Sequence, residues 1–431
     1  MAVAPPPSRP PSMPQPPPPT VPLSTFVGGN QVSLLSGGGE LFPAMCRAIA
    51  SANVDVWFAT YIFHDDVAAH SVADALAVAA RRGVAVHLVV DGFGSLATLP
   101  ALRQRLAGSG VRLEVFRPLD RWYAWLQPGQ LRRLHQKLCV VDDAVAYVGG
   151  INVIDDRNDI NHGWSELPRL DFAVELQGPL AAHVQAATRA MWARAHLGKT
   201  WRDEVRQLAS STAPVYQARR LLRRLRAERV AGGEGTGLPQ PVRAALVVRD
   251  NLRQRRAIER SYIDAINTAR QQVDIAVPYF YPGRAFRRAL RRAARRGVRV
   301  RLLLQGKFDY RIAAMAARAL YDEMRANRIQ VYEYTPAFLH AKVAVVDDDW
   351  STVGSSNIDP LSLLLNLEAN VVVLDVDFAG ELRRRFDAAV AVSTEVTGPP
   401  AQRGWRGWLQ RGLVAWAAAI YLRVAGVNGR Y

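Results

Sequence analysis

The sequence predicts an α/β protein with two homologous domains, and two observations support this fold class. The segment Ala80–Gly92 (ARRGVAVHLVVDG) returns 214 positions later as Ala294–Gly306 (ARRGVRVRLLLQG). Each copy reads as the end of a helix, a glycine stop and an apolar strand. A further strand ending in aromatic residues lies upstream of each copy, at Val54–Phe63 and Val273–Tyr281. This order of strand, helix and strand indicates βαβ units, so we expect a largely parallel sheet in each domain.

Composition divides the chain into five segments. They are a disordered proline-rich tail (1–25), a first α/β domain (26–199), a basic linker (200–241), a second α/β domain (242–398) and a C-terminal amphipathic segment (399–431). Eleven of the 26 prolines lie in the first 22 residues, a composition typical of polyproline-type chains. These boundaries are predictions from composition and spacing.

The C-terminal segment combines tryptophan and arginine with a short apolar run, Leu413–Leu422. Ten residues of helix reach about 15 Å, roughly half the thickness of the bilayer hydrocarbon, so the run is too short to span. The flanking tryptophans and arginines favour an anchor lying in the membrane interface. A helix packed on the second domain or on a partner chain is the alternative.

The charge balance points to a polyanionic partner. Fifty-five basic residues face 38 acidic ones, for a formal net charge of +17. Such an excess suits nucleic acid or an anionic membrane surface. The 18-residue stretch Arg284–Arg301 holds nine arginines and no acid, which favours contact with anionic headgroups, a solvated helix face being the alternative. The two cysteines are too few for a disulfide framework.

Two blocks with the same spacing carry the residues suited to catalysis. They are His135, Lys137, Asp142 and Asn152 in the first half, and His340, Lys342, Asp347 and Asn357 in the second. Only four lysines occur in the chain, and two of them stand in these blocks. A histidine and a lysine two residues apart project from the same face of a strand. Together they can hold a phosphate and attack it, and two copies supply both a nucleophile and a general acid.

The doubled His-x-Lys-x4-Asp pattern, with its Gly-Gly-x-Asn and Gly-Ser-x-Asn extensions, resembles the phospholipase D superfamily. The resemblance covers roughly residues 30–395. Within the superfamily, Tyr61–Phe63, Asp91–Ser95 and Gly354–Asn370 are similar to bacterial cardiolipin synthases of the branch without N-terminal membrane spans. The implied fold is two phospholipase D-like α/β sandwich domains related by a pseudo-twofold axis, with the active site at their interface.

The resemblance also implies roles for individual residues. The catalytic set would be His135, Lys137, Asp142, His340, Lys342 and Asp347. We assign His135 as nucleophile and His340 as general acid, and the sequence leaves the reverse order open. A structural role for Asp142 and Asp347, bracing the turn that follows, is an equally weighted alternative. Asn152, Asn357 and Ser355 would bind substrate. An acidic residue would orient each histidine: Glu368 for His340 and Asp171 for His135, with Glu166 as a second candidate for His135.

The implied reaction transfers a phosphatidyl group between two phosphatidylglycerol molecules through a phosphohistidine, with no cofactor and no metal. The expected partner is anionic phospholipid, the expected location is the cytoplasmic side of the bacterial cell membrane as a peripheral protein, and no nucleic acid is expected. Phospholipase D hydrolysis or transfer to another alcohol is the first alternative. A phosphodiesterase acting on nucleic acid through the basic linker is the second. The sequence leaves the oligomeric state open.

Overall fold

The computed structural model describes residues 26–118, 132–160, 163–209, 242–249, 254, 256–307, 320–359, 362–363 and 366–397. For helix residues 198–209 it describes the backbone course only. The predicted proline-rich tail, most of the predicted linker and the predicted C-terminal segment lie outside this set, so those predictions are not tested.

The first half alternates strands and helices. Its described elements are β1 (Val27–Ser36), α1 (Gly37–Ser51), β2 (Asp55–Thr60), α2 (Val67–Arg81), β3 (Ala85–Asp91), α3 (Leu99–Leu106), β4 (Arg112–Phe116), β5 (Leu138–Val141), β6 (Val145–Gly149), β7 (Asn158–Asp159), β8 (Gly163–Trp164), β9 (Phe172–Gln177) and α4 (Leu180–Ala209).

The second half repeats this plan. Its described elements are β10 (Val242–Arg249), α5 (Ala257–Thr268), β11 (Gln272–Ala276), α6 (Arg284–Arg295), β12 (Arg299–Gln305), β13 (Gln330–Tyr334), β14 (Val343–Val346), β15 (Trp350–Gly354), β16 (Glu368–Leu374), α7 (Val376–Ala391) and β17 (Thr394–Glu395). Residues 320–326 form a further helical segment before β13.

The strands join into one sheet that is nearly symmetric about its centre. The order is β17-β13-β12-β11-β14-β15-β16-β10-β1-β9-β6-β5-β2-β3-β4, so β10 and β1 meet in the middle as an antiparallel pair. Reading outward from that pair, each strand of one half has a counterpart in the other, up to β13 and β4. The prediction of two homologous α/β halves is confirmed.

The prediction of a largely parallel sheet is wrong. Only β2-β3-β4 and β11-β12-β13 pair in parallel; the other neighbours in the large sheet are antiparallel. The physical reason is the length of the connections. β5 and β6 are joined by Asp142–Ala144, and β14 and β15 by Asp347–Asp349, and loops this short can only join antiparallel strands. The βαβ pattern therefore describes the outer strands alone.

Helices cover both faces of the sheet. Apolar side chains of α4 and α7, including Leu180, Val184, Leu382 and Phe386, join strand residues of both halves in one core cluster. Helix α4 contacts β10 of the second half, and α7 contacts β1 of the first. Helices α1, α2 and α3 cover the opposite face of the first half, and α5 and α6 that of the second. This arrangement is the predicted α/β sandwich, and it fixes the two halves against each other.

Within the described residues, the helices are all too short or too polar to cross a bilayer.

Candidate active site

The two predicted histidine–lysine pairs lie immediately before equivalent strands. His135 and Lys137 precede β5, and His340 and Lys342 precede β14. Both lysines are buried, Lys137 at 5% and Lys342 at 1% exposure. The Nζ atom of Lys137 donates to the carbonyl of His135 at 2.9 Å, and Lys342 donates in the same way to the carbonyl of His340. Each ammonium group is thereby held beside the imidazole of its own half.

Each histidine is oriented by a carboxylate from the other half. Nδ1 of His135 lies 2.9 Å from Oε2 of Glu368, and Nδ1 of His340 lies 2.5 Å from Oδ2 of Asp171. The sequence correctly selected Glu368 and Asp171 as orienting residues, but the predicted pairing within each half is wrong. Glu166, the second candidate, is exposed. A carboxylate on Nδ1 fixes the ring orientation and leaves Nε2 for chemistry.

Main-chain pairing between the halves produces this crossover. The segment before His135 runs parallel to the segment before Glu368, with Leu134 paired to Leu367. The amide of His135 donates to the carbonyl of Leu367 at 3.0 Å. The second pair repeats the arrangement, with Leu170 beside Leu339 and the amide of His340 donating to the carbonyl of Leu170 at 2.8 Å. The two halves are thus joined at the site itself.

Burial and mutual repulsion favour the neutral forms of the imidazoles and the ammonium groups. Burial, reinforced by Lys137 and Lys342, lowers the pKa of His135, although Glu368 opposes the shift. The pKa of His340 falls well below its usual value because of burial, Lys342 and Arg169. Burial also lowers the pKa of Lys137 to about 8 and that of Lys342 to about 7. A neutral imidazole with Nδ1–H donated to a carboxylate is the nucleophilic form.

The two carboxylates differ in their electrostatics. Burial raises the pKa of Asp171 to about 7, although Lys342 and the amide of Phe172 oppose the shift. Glu368 is also fully buried, but His135, Lys137 and Ser355 together outweigh burial and lower its pKa. The carboxyl group of Glu368 is therefore the more acidic of the two.

Ser355 donates a hydrogen bond to Glu368, and its contact with substrate remains a prediction. Its Oγ atom donates to Oε2 of Glu368 at 2.6 Å and accepts from the amide of Ala369 at 3.1 Å. The side chain is fully buried. Gly150 occupies the equivalent position in the first half, where a Cβ atom would lie 2.5 Å from Oδ1 of Asp171. The serine supports one carboxylate, and the glycine makes room for the other.

The two predicted substrate-binding asparagines lie beyond strands β6 and β15 and are both buried. Oδ1 of Asn152 accepts from the amide of Ile62 at 3.3 Å. Oδ1 of Asn357 is buried and has no hydrogen-bond partner among the described residues. A buried unpartnered acceptor is costly unless a ligand or water satisfies it. Contact of these amides with substrate remains a prediction.

Asp142 and Asp347 lie away from the histidines, so the predicted catalytic role is wrong for both. Asp142 accepts from the amides of Asn53, Val54 and Asp55 at 2.7 to 2.9 Å. Asp347 accepts from the amides of Arg270, Gln271 and Gln272 at 2.7 to 3.0 Å. Each carboxylate follows the far end of its strand, on the order of 20 Å along the chain from the histidine. They brace turns, which is the alternative that the sequence allowed.

Two positioning residues were missed by the sequence reasoning. Oδ2 of Asp91 accepts from the amide of Leu134 at 2.9 Å, and Oε1 of Gln305 accepts from the amide of Leu339 at 3.2 Å. Both therefore hold the residue that precedes one of the two site histidines. The signal was present in the repeat, because Asp91 and Gln305 occupy the same position in its two copies.

Among the residues that the structure describes, no group of three or more His, Cys, Asp or Glu side chains is arranged to hold a metal ion. The chemistry of the cluster is that of two imidazoles, two carboxylates and two ammonium groups.

Comparison with known proteins places this arrangement in a family. The family model described as "Cardiolipin synthase, PLD-like domain" matches residues 45–164 and 262–390. Cardiolipin synthase B of Escherichia coli K12 is 34% identical over 377 residues, covering 85% of this chain and 82% of the relative. Cardiolipin synthase B of Salmonella typhimurium LT2 is 37% identical over 372 residues, covering 84% and 81%.

A solved structure shares the fold at low sequence identity. The phosphatidylserine synthase of Haemophilus influenzae Rd KW20 superimposes with a TM-score of 0.60 at 12% identity, covering 92% of this chain and 95% of that one. The family model matches one segment in each half, and each segment contains one of the histidine–lysine pairs. The chain therefore belongs to the cardiolipin synthase family of phospholipase D-like phosphatidyltransferases.

Proposed function

We propose that this chain transfers a phosphatidyl group from one phosphatidylglycerol to another, giving cardiolipin and glycerol. The observation that carries the proposal is the crossed pair of imidazoles, each hydrogen bonded at Nδ1 to a carboxylate of the opposite half. A single histidine could supply a nucleophile alone, whereas two supply the acid and base that both steps require. The names of the relatives support the same reaction.

In the proposed first step, Nε2 of His135 attacks the phosphorus of a phosphatidylglycerol. The bond from phosphorus to the headgroup glycerol breaks, and His340 gives its proton to the departing oxygen. The phosphatidyl group is then held on His135 by a P–N bond. The negative charge of the bound diester favours the protonated form of His340, because an adjacent opposite charge raises an imidazole pKa.

In the proposed second step, a headgroup hydroxyl of another phosphatidylglycerol attacks the phosphorus. His340 accepts the hydroxyl proton, the P–N bond breaks and cardiolipin leaves with His135 restored. Lys137, Lys342, Asn152 and Asn357 would stabilise the charge on the phosphoryl oxygens in both steps. Two phosphatidylglycerols give one cardiolipin and one glycerol, so atoms and charge balance.

We also propose that the protein works at the cytoplasmic surface of a bacterial membrane as a peripheral protein. The net charge of +17 suits an anionic surface, and the phospholipids of the reaction reside in the bilayer. The segment Gly404–Tyr431 would lie in the membrane interface.

Incubation with phosphatidylglycerol vesicles, followed by mass spectrometry of the products, tests the proposal. Cardiolipin with an equal amount of glycerol is the expected result. Phosphatidic acid in its place would indicate hydrolysis, and plasmid degradation without a lipid product would indicate a nucleic-acid phosphodiesterase. His135→Ala and His340→Ala should each reduce transfer by about 10⁴-fold or more. His183→Ala, which changes an exposed histidine on α4, is the matched control and should retain full activity.

A further inference from the structure

Helix α6 presents one row of arginines to solvent. Its apolar side, including Phe286, Leu290 and Ala293, is buried against the second half. The opposite side carries the exposed residues Arg284, Arg288, Arg292 and Arg295, which we call the arginine face. These four recur at intervals of three or four residues and so align along one side of the helix. Within the described part of the chain, none of them forms an ion pair.

The flank of the same helix is partly neutralised. Glu323 pairs with Arg287 at 2.7 Å and with Arg291 at 3.3 Å. An open concavity of about 500 Å³ lies between the helix and this carboxylate, lined by Arg284, Arg287, Arg288, Arg291 and Glu323. Four guanidinium groups thus meet one carboxylate. Glu323 can neutralise only one of these four positive charges, so the surface remains strongly positive.

The equivalent helix of the first half shows that the fold does not need these arginines. Helix α2 follows β2 as α6 follows β11, yet it carries only one aspartate and one arginine among its 15 residues. Asp74 of α2 pairs with Arg105 at 2.6 Å. A role in packing alone would be needed in both copies, so packing does not account for the charge of α6.

The arginine face begins at the edge of the sheet that holds the active site. The amide of Tyr281 donates to the carbonyl of Ile358 at 2.7 Å. Ile358 directly follows Asn357 of the candidate site, and α6 begins three residues after Tyr281. The end of α6 at which the arginine face begins is therefore tied to the segment that carries Asn357.

We propose that the arginine face docks the protein on an anionic phospholipid bilayer and holds the adjoining side of the candidate site against the lipid from which substrate is taken. The inference rests on the proposed function for the identity of that lipid. Guanidinium groups bind phosphate oxygens in a bidentate manner and match the phosphodiesters of a membrane surface. Each basic residue near such a surface strengthens binding about fivefold, so the four together supply several hundredfold.

A vesicle sedimentation assay with two matched variants tests the docking face. The first variant replaces Arg284, Arg288, Arg292 and Arg295 by glutamine. The control replaces Arg103, Arg260, Arg270 and Arg384 by glutamine; these four are also exposed but are scattered over other elements, so the change in net charge is identical. On vesicles of phosphatidylcholine and phosphatidylglycerol in 0.1 M salt, the face variant should lose several hundredfold in affinity. The control should lose less than about tenfold.

Turnover separates this inference from the proposed function. At saturating phosphatidylglycerol in mixed micelles of neutral detergent, the face variant should keep the wild-type kcat within about threefold, because the catalytic groups are untouched. If the wild type made no cardiolipin while the face variant still lost vesicle binding, the proposed function would fail and the docking face would stand. Equal vesicle affinity of the face variant and the control would overturn the docking face. The docking face would also be overturned if the face variant lost binding to duplex DNA and kept its binding to vesicles.

Discussion

The two halves of the site place the same groups with different chemistry around them. His135 is held by a buried glutamate that also accepts from a serine, whereas His340 is held by an aspartate packed against a glycine. The positions correspond, yet one carboxylate has a lowered pKa and the other a raised one. The difference teaches that a duplicated scaffold can place two equivalent histidines in different electrostatic surroundings.

The loops that precede the two orienting carboxylates are also held by different residues in the two halves. The loop before Asp171 is tied by Asp156, whose carboxylate accepts from the amide of Gly38 at 2.6 Å. The loop before Glu368 is tied from the opposite direction by Arg249, a buried guanidinium that donates to the carbonyls of Leu363 and Asn366. In the first half the loop itself carries the acidic residue Asp156, whereas in the second half the basic residue Arg249 of β10 holds the loop. The two halves therefore place the backbone alike but use different side chains to hold it.

Neutralising the orienting carboxylates should have the largest effect and should test the crossover directly. Glu368→Gln and Asp171→Asn should each lower turnover by on the order of 10³-fold, because an imidazole with the wrong tautomer cannot attack or protonate. Histidine titration followed by NMR should show that Glu368→Gln lowers the pKa of His135 further, since this carboxylate opposes the lowering. Asp171→Asn should leave the pKa of His135 nearly unchanged. If instead Asp171→Asn changed the pKa of His135 and Glu368→Gln did not, each histidine would be paired with the carboxylate of its own half.

Substitutions at the equivalent pair Gly150 and Ser355 should have intermediate and unequal effects. In Gly150→Ala the new methyl group would lie about 2.5 Å from Oδ1 of Asp171, so this carboxylate must move and turnover should fall about 100-fold. Ser355→Ala removes one donor to Glu368 and should cost about tenfold. Steady-state rates of both variants provide the measurement, and equal losses would contradict the proposed difference between the halves.

The pH profile of Ser355→Ala gives a second readout. The hydrogen bond from Ser355 lowers the pKa of Glu368, so its removal must raise that pKa. If ionised Glu368 is needed, the acid limb of the kcat/KM profile should move to higher pH in this variant. At pH values above that limb, activity should be lower only by the factor of about ten expected for Ser355→Ala. An acid limb that stayed in place would show that Glu368 does not act through its charge.

The smallest effect on turnover is expected at Asp142 and Asp347. Asparagine tolerates their positive φ values of 51° and 49° and keeps an acceptor oxygen, so only the charge is removed. Asp142→Asn and Asp347→Asn should each lower the free energy of unfolding by about 1–2 kcal/mol, because three amides lose a charged acceptor. Thermal melts and rates measured side by side should show a lower Tm with turnover within about threefold of wild type. Loss of activity without loss of stability would return these residues to the catalytic set.

The sequence predicted the residue types at the site but not how the halves interlock. The repeat and the spacing of His, Lys and Asn were sufficient to find both halves, because identical spacing on equivalent strands carries the pattern. The pairing of His135 with Glu368 depends on a contact between residues 233 positions apart, which no local pattern contains. The antiparallel centre of the sheet was missed because the βαβ signal comes from the outer strands. Asp142 was overinterpreted because a motif position does not reveal the direction of a side chain.

The central claim is that both halves form one reaction centre, and trapping the phosphoenzyme tests it most directly. The protein would be mixed with ³²P-labelled phosphatidylglycerol, quenched in alkali within the first turnover and digested to locate the labelled histidine. One reaction centre predicts at most one labelled phosphoryl group per chain, on His135, with transfer lost in either histidine variant. Two labels per chain, one on His135 and one on His340, would contradict it. So would a wild-type rate of transfer in a variant that keeps only one of these two histidines.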